Sequence, residues 1–186
     1  MDALAAQLSV PTVQRALSVR SESSGPFAVA FKPYEHAKFV SVLRGEFELQ
    51  LERDATPTRL RPGDCYLLAD GRPYRIFNAD IPDTDAGTLF SANRGADGIV
   101  RWGHGVIDTV TIGSRILFDP EGAAWLRERL PPLVLLPAGT PEAVRFHAIL
   151  SLLGTDPENA PGAAFAADRY IGILLVQVLR HILYTT

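Results

Sequence analysis

Glycine, proline and aspartate interrupt the first two-thirds of this 186-residue chain at short intervals, and the apolar runs between them are only a few residues long. Runs of that length are too short for packed helices. Repeated at regular spacing they are strands of a sandwich or barrel. The clearest is Glu46-Phe47-Glu48-Leu49-Gln50-Leu51, where Phe47, Leu49 and Leu51 face a core and the polar residues face water. Residues 27–31, 64–68, 74–77, 88–91 and 110–118 are further predicted strands. Residues 39–43 are apolar everywhere except Ser41, so that strand is expected to be covered on both faces. Residues 80–87 and 93–98 are rich in turn formers and read as loops.

The last third changes character. Asp119-Pro120-Glu121 offers an N-cap, a proline at the first helical position and an acid at the positive helix end. The helix it opens runs to about 130, before Pro131-Pro132. Residues 133–136 suit a short strand. Thr140-Pro141-Glu142 repeats the cap-and-proline signal for a second helix ending near Gly154. A linker over 156–162 then leads to a final helix over 163–184. Strands followed by helices make an α+β chain, mainly β. The expected division is a β-barrel over 1–138, with a short helix near 120–130, and a helical pair over 139–186.

The last helix carries more apolar surface than one packed face needs. Ile171, Leu175, Val178 and Ile182 form one stripe, and Leu174, Val176, Leu179 and Leu183 widen it. A homodimer contact is the expectation, with Ile171, Leu174, Leu175, Val178, Leu179 and Ile182 as its residues. The competing reading is that the apolar helix over 141–154 covers the excess.

Composition narrows the function classes. The net charge of −3 supplies no basic field for nucleic-acid phosphates. Cys65 is the single cysteine, so an internal disulfide or a cysteine-based zinc site cannot form, and a lone thiol fits a reducing cytoplasm. It reads as a small buried hydrophobe. Residues 170–179 are the most apolar segment, half of the roughly twenty residues that cross a bilayer, so no membrane partner is expected. Met1-Asp2-Ala3-Leu4 lacks the basic start of a secretory signal.

Two short islands carry a family resemblance. Arg44-Gly45-Glu46 closes one apolar run, and Arg61-Pro62-Gly63-Asp64 opens another, followed by Gly71-Arg72-Pro73-Tyr74. The pattern resembles the two signature motifs of the cupin barrel, which implies a double-stranded β-helix (jelly-roll) followed here by C-terminal helices. In a metal-binding cupin the first motif supplies two histidines and a glutamate, and the second a third histidine. Counting seven positions back from Gly45 places Lys38 where the glutamate would stand. The paired histidines fall near Lys32 and Tyr34, or Phe31 and Pro33, and the third falls on Tyr74. A lysine ammonium repels a divalent cation, so no metal and no cofactor are expected.

His36 is the nearby imidazole, out of register with that motif; it could bond a ligand or be satisfied by backbone. Lys38 has two readings. If strand parity follows the cupin pattern it points into the barrel with Val40 and Val42 and wants an anionic or carbonyl-bearing ligand, or an internal carboxylate. The plainer expectation is an exposed, solvated lysine. Tyr34, Tyr66, Tyr74 and Trp102 could line a pocket, giving apolar walls with polar tips. Core or rim packing is the plainer reading for each. Trp102-Gly103-His104-Gly105 looks like a hairpin or loop, and His147 and His181 fall on helices.

The whole chain resembles the N-terminal regulatory half of AraC-type transcription regulators of the cupin-like subgroup. The residues carrying this likeness are Glu35-His36-Ala37-Lys38-Phe39 through Gly45, Leu60 to Asp64 with Gly71-Arg72-Pro73, and Thr109 to Asp119 with Leu130-Pro131-Pro132-Leu133; the opening Met1-Asp2-Ala3-Leu4 also fits. The resemblance implies a domain that senses a small-molecule effector and dimerises, without enzyme activity. It also implies a DNA-binding part with two helix-turn-helix units, expected to begin where this chain ends at Thr186. The competing readings are a cupin isomerase or dioxygenase with an unusual metal site, and a barrel that only dimerises.

Overall fold

The computed structural model describes residues 11–155 and 160–185. In chain order its elements are β1 (Val13–Ser24), β2 (Ala28–Phe31), β3 (Ala37–Arg44), β4 (Phe47–Leu51), β5 (Thr58–Leu60), β6 (Cys65–Leu68), β7 (Tyr74–Phe77), β8 (Thr84–Asp85), α1 (Ala86–Ala92), β9 (Val100–Gly103), β10 (Thr109–Phe118), α2 (Pro120–Arg129), β11 (Leu133–Leu136), α3 (Pro141–Thr155) and α4 (Ala163–Thr185). The strands form two sheets. One has the order β11-β6-β3-β10-β1-β9, the other β5-β4-β7-β2-β8. Pairing is antiparallel except for β1 with β9 and β2 with β8.

The first sheet is covered on both sides, which explains the unbroken apolar reading of β3. Phe39 on one face joins Cys65, Leu67 and Ile116 and meets Phe146 and Leu150 of α3. The Phe39 and Phe146 rings stack at 5.9 Å. On the opposite face Val42 and Tyr66 join Phe47 and Leu49 of the second sheet and Phe27 just before β2.

The two glycine islands are turns with structural work of their own. Gly45 has φ +77°, and a Cβ there would lie 2.6 Å from the Asp108 carbonyl oxygen. Gly71 has φ +75°, and a Cβ would collide with the Tyr34 carbonyl. Gly71 itself accepts the Tyr34 backbone N–H at 3.0 Å, which folds the loop before β3 over the sheet. The buried Asp64 carboxylate accepts the Arg61 N–H and the Ala138 N–H, both at 2.8 Å, tying the second island to the loop before α3.

The caps expected around α2 and α3 are present. Asp119 accepts the Gly122 N–H at 2.9 Å with Pro120 at the helix start, and Thr140 Oγ1 accepts the Ala143 N–H at 3.2 Å. Two expectations are corrected, and one strand was not foreseen. Residues 88–91 lie inside α1, because Asp85 caps that helix by accepting both the Thr88 N–H and hydroxyl at 3.0 and 3.1 Å. Trp102 and Gly103 belong to β9, held in parallel against the end of β1. β1 itself is the longest strand; its few apolar residues, Val13, Ala16, Leu17 and Val19, are interrupted by arginines and run into a polar stretch of serine and glutamate, which masks the strand signal. Pairing along both edges makes it a strand.

The apolar stripe of α4 is also taken up within the chain. Ile171, Leu174, Leu175, Val178 and Leu179 are buried, and Ile182 packs against the same core, facing Ala143, Phe146, Leu150 and Leu153 of α3. These side chains are therefore not an exposed partner surface. The large apolar residues left exposed on the two helices are Val144, Leu152, Phe165, Ile173, Leu183 and Tyr184. Among the described residues no helix is long and apolar enough to cross a membrane. Met1 to Leu4 and residues 156–159 of the expected linker lie outside the described residues.

Candidate functional site

A cavity of about 640 Å³ lies between the two sheets. Strand parity decides which residues reach it. On β3 the alternate positions Lys38 and Val40 face inward, and β10 presents Arg115, Gly113 and Thr111 beside them. From β1 come Val19, Ser21 and Ser23. The second sheet closes the other side with Phe31, Tyr74 and Ile76, while α1 adds Phe90 and β9 adds Trp102. All six residues singled out from the sequence, Tyr34, His36, Lys38, Tyr66, Tyr74 and Trp102, line this one cavity.

Lys38 is not solvated. It is only 8% exposed, because β3 is an interior strand and the second sheet lies over it. Its Nζ donates to the Tyr74 hydroxyl at 2.9 Å and sits over the rings of Tyr34, Phe31 and Tyr74 at 3.9, 4.1 and 4.6 Å. Phe31 and Tyr74 stack at 4.3 Å to make one wall of this cage. Aromatic faces are negative and attract the ammonium, but among the described residues no carboxylate pairs with it. Burial, and after it the Arg115 charge, pulls Lys38 down to about 7.

His36 lies beside the Tyr34 ring at 4.7 Å. Burial, then the charges of Lys38 and Arg115, lower it to about 4, so it is neutral at physiological pH. Its Nε2 is buried without a partner, rather than satisfied by backbone. The Tyr34 hydroxyl, the Ser23 hydroxyl and the Trp102 indole nitrogen are in the same condition. Most buried polar atoms in folded proteins are paired. All four belong to residues that line this one cavity. Burial raises the Tyr34, Tyr66 and Tyr74 phenols, so all three stay protonated. Trp102 packs edge-on to Phe27 at 6.0 Å and tilted to Phe90 at 6.0 Å.

Cys65 is fully buried on the opposite face, where burial pushes its thiol up to about 11. It contacts Ser41 Oγ at 3.4 Å, and Ser41 in turn bonds His147 Nδ1 at 2.9 Å. Asp83 pairs with Arg75 and Asp85 with Lys32. Among the described residues no group of three or more His, Cys, Asp and Glu could hold a metal ion. The positions that correspond to a cupin glutamate and third histidine do converge, but they hold Lys38 and Tyr74 bonded to each other.

Sequence reasoning missed Arg115, Phe31, Phe90 and Ser23. Arg115 sits in a Thr109, Thr111, Gly113, Arg115 alternation that was legible, but its place opposite Lys38 depends on a register that only the sheet reveals. Phe90 was hidden because its segment was read as a strand.

The pair of facing sheets with a pocket between them and C-terminal helices is of the cupin class. The cupin family model matches residues 2–184, and the chain belongs to that family. It is 32% identical over 182 residues to an AraC-like transcription regulator of Streptomyces antibioticus and 33% identical over 182 residues to one of Streptomyces lividans. Each alignment covers 97% of this chain and 59% of the relative, so the chain spans well under two-thirds of their length. Among solved structures it is similar to ToxT of Vibrio cholerae strain SCE256 with an unsaturated fatty acid bound. The TM-score is 0.53 at 9% identity, over 90% of this chain and 56% of that one. An apo form of ToxT gives 0.51, also at 9% identity, over 89% of this chain and 56% of that one. At that identity the likeness concerns the fold alone.

Proposed function

We propose that this chain is the effector-sensing and dimerisation domain of an AraC-like transcription regulator, acting in the cytoplasm, without catalytic activity of its own. Its two sheets, from Val13 to Leu136, are the halves of a double-stranded β-helix, and the cavity between them is the effector site. The observation that carries the reading is the cavity itself: about 640 Å³, walled by aromatic rings, with four unpaired buried polar atoms on its lining residues. DNA recognition is assigned to a region of such regulators outside this chain, in keeping with its net charge of −3.

β3 offers a physical route from effector to helices. Lys38 and Val40 touch the cavity, while the intervening Phe39 and following Ser41 contact Phe146 and His147 of α3. A ligand that shifts β3 thus acts on α3, and through it on α4. An effector can bias the helices only if it binds their two arrangements with different affinity. The homodimer surface is assigned to the exposed apolar face of α3 and α4, where Val144, Leu152, Phe165, Ile173 and Leu183 lie.

The test is a thermal-shift screen of this chain against small organic molecules, followed by DNA-affinity measurements on a regulator that contains it. A stabilising compound should lose its effect when the cavity is filled by Gly113→Phe or narrowed by Ser23→Leu, and should change DNA affinity. Stabilisation that survives both substitutions would overturn the assignment of the site. So would binding that leaves DNA affinity and dimer geometry unchanged.

A further inference from the structure

Lys38 and Arg115 stand directly opposite one another on β3 and β10. Side chains so placed share a face, with Cβ atoms about 5 Å apart, and like charges in that position destabilise the pair. Both line the cavity. Among the described residues neither is paired with a carboxylate. The acid on the cavity wall, Asp85, is already taken: Lys32 holds it at 3.0 Å and the Thr88 N–H and hydroxyl use its other oxygen. Arg94, also on the wall, donates to the Gly98 carbonyl and among the described residues pairs with no acid. The rest of the lining is mainly aromatic and aliphatic. The buried Trp102 Nε1–H, which can only donate, faces no acceptor.

We infer that the effector is an organic carboxylate, its carboxylate bridging Lys38 and Arg115 and its apolar body lying along Phe27, Phe90 and Trp102. This inference rests on the effector-site reading above and adds the chemical class. A carboxylate between the two cations turns their repulsion into two charge-assisted hydrogen bonds. A neutral body alone would leave the buried Lys38 ammonium without a counter-charge.

The same geometry couples binding to a proton. The ionisable groups facing Lys38 are Tyr34 and His36 from the loop before β3, Tyr66 from β6, Tyr74 from β7 and Arg115 from β10. His36 is held neutral and the tyrosines protonated, so Lys38, at about 7, is the group of this set that changes charge near neutral pH. An anion beside it favours the ammonium and draws a proton from solvent.

The test is isothermal titration calorimetry of this chain at pH 7, in two buffers of different ionisation enthalpy. The probes are two acid–amide pairs: 4-phenylbutanoate with 4-phenylbutanamide, and decanoate with decanamide. The expected result is that at least one acid binds tenfold or more tighter than its amide, with uptake of about half a proton. Arg115→Met, at an exposed position of β10, and Lys38→Met should each erase the acid's advantage while leaving amide binding in place. Amides that bind as tightly as acids would overturn the carboxylate class and leave the effector cavity standing. An acid advantage that survives Arg115→Met would place the anion elsewhere and sink the inference. Failure of all four probes to bind would count against the cavity as an effector site as well.

Discussion

The Lys38 ammonium and the Tyr74 hydroxyl are 2.9 Å apart in the interior of the chain, on strands of different sheets. Among the described residues it is the one side-chain hydrogen bond of the Lys38 ammonium, and it joins the two sheets across the cavity wall. Tyr74→Phe leaves the ammonium without that acceptor and should destabilise the chain by about 1–3 kcal/mol. Lys38→Met removes the buried charge altogether, and the double variant leaves no unpaired group. Replacing both partners by apolar groups of similar shape can be near neutral. Guanidinium unfolding should therefore rank Lys38→Met/Tyr74→Phe above Tyr74→Phe alone. A double variant as weak as the sum of the singles would show that the bond is not coupled.

Burial of Lys38 also sets a pH dependence. Its amine is near 7 in the folded chain and near 10.5 when unfolded. Between these values the unfolded chain binds the extra proton, so stability rises with pH across that window and the burden of burying the charge is greatest below it. His36 behaves likewise at lower pH, where the folded value of about 4 lies below the unfolded 6.5. Thermal unfolding from pH 4 to pH 9.5 should show two rising limbs. Lys38→Met should flatten the upper one and spare the lower. An unchanged upper limb would mean that another group carries it.

The frame of the fold was open to sequence reading where local chemistry decides it. Asp119-Pro120 and Thr140-Pro141 cap helices through their own side chains, and the alternation at 47–51 places β4 without help. β1 was not legible, because its arginines, serines and glutamate form a strand only when β10 and β9 pair with both its edges. The site divides the same way. Tyr34, Lys38 and Tyr74 could be found by counting from Gly45 and Gly71, since turn geometry fixes the register of the strands beside them. Arg115 could not, because its importance lies in facing Lys38, a relation between strands far apart in the chain. The α4 stripe misled for a related reason: its width was visible, but α3 as its cover was a matter of packing.

Asp64 gives the second island a role separate from ligand binding. Its two oxygens accept backbone N–H groups from Arg61 and Ala138, and it is buried. Asp64→Ala strands both donors and should cost about 2–3 kcal/mol, whereas Asp64→Asn keeps one acceptor and should cost roughly half. Urea unfolding midpoints would measure this. Equal losses for the two variants would mean that charge, not hydrogen bonding, holds the turn.

Asp85 links the cavity wall to the stability of α1. It caps the helix through Thr88 and pairs with Lys32, and these bonds, the Thr88 N–H first, hold its carboxyl down at about 2. Asp85→Ala should fray a short helix whose Phe90 and Ser91 line the cavity. The expected outcome is faster amide hydrogen exchange in 86–92 and weaker ligand binding, with exchange in β3 and β10 unchanged. The wild-type helix should show the same local loosening as pH falls through about 3.8 towards 2, where the carboxyl loses its charge. Uniformly faster exchange would mean that the cap supports the whole fold.

The dimer assignment separates two sets of apolar residues on one helix. Leu175 is buried among the residues of α3 and the first sheet, while Phe165 and Leu183 stand 66% and 64% exposed on the outer side of α4. Leu175→Asp buries an unpaired charge and should prevent folding or lower stability by several kcal/mol, on the order of 3–5. Phe165→Asp and Leu183→Asp leave the core untouched and should change thermal stability little at concentrations where the chain is monomeric. If the outer face is where two copies meet, light scattering should find a dimer for the wild type and a monomer for these two variants, with unchanged circular dichroism. A dimer that survives both substitutions would move the contact off α4, to the exposed Val144 and Leu152 of α3 or to a sheet edge.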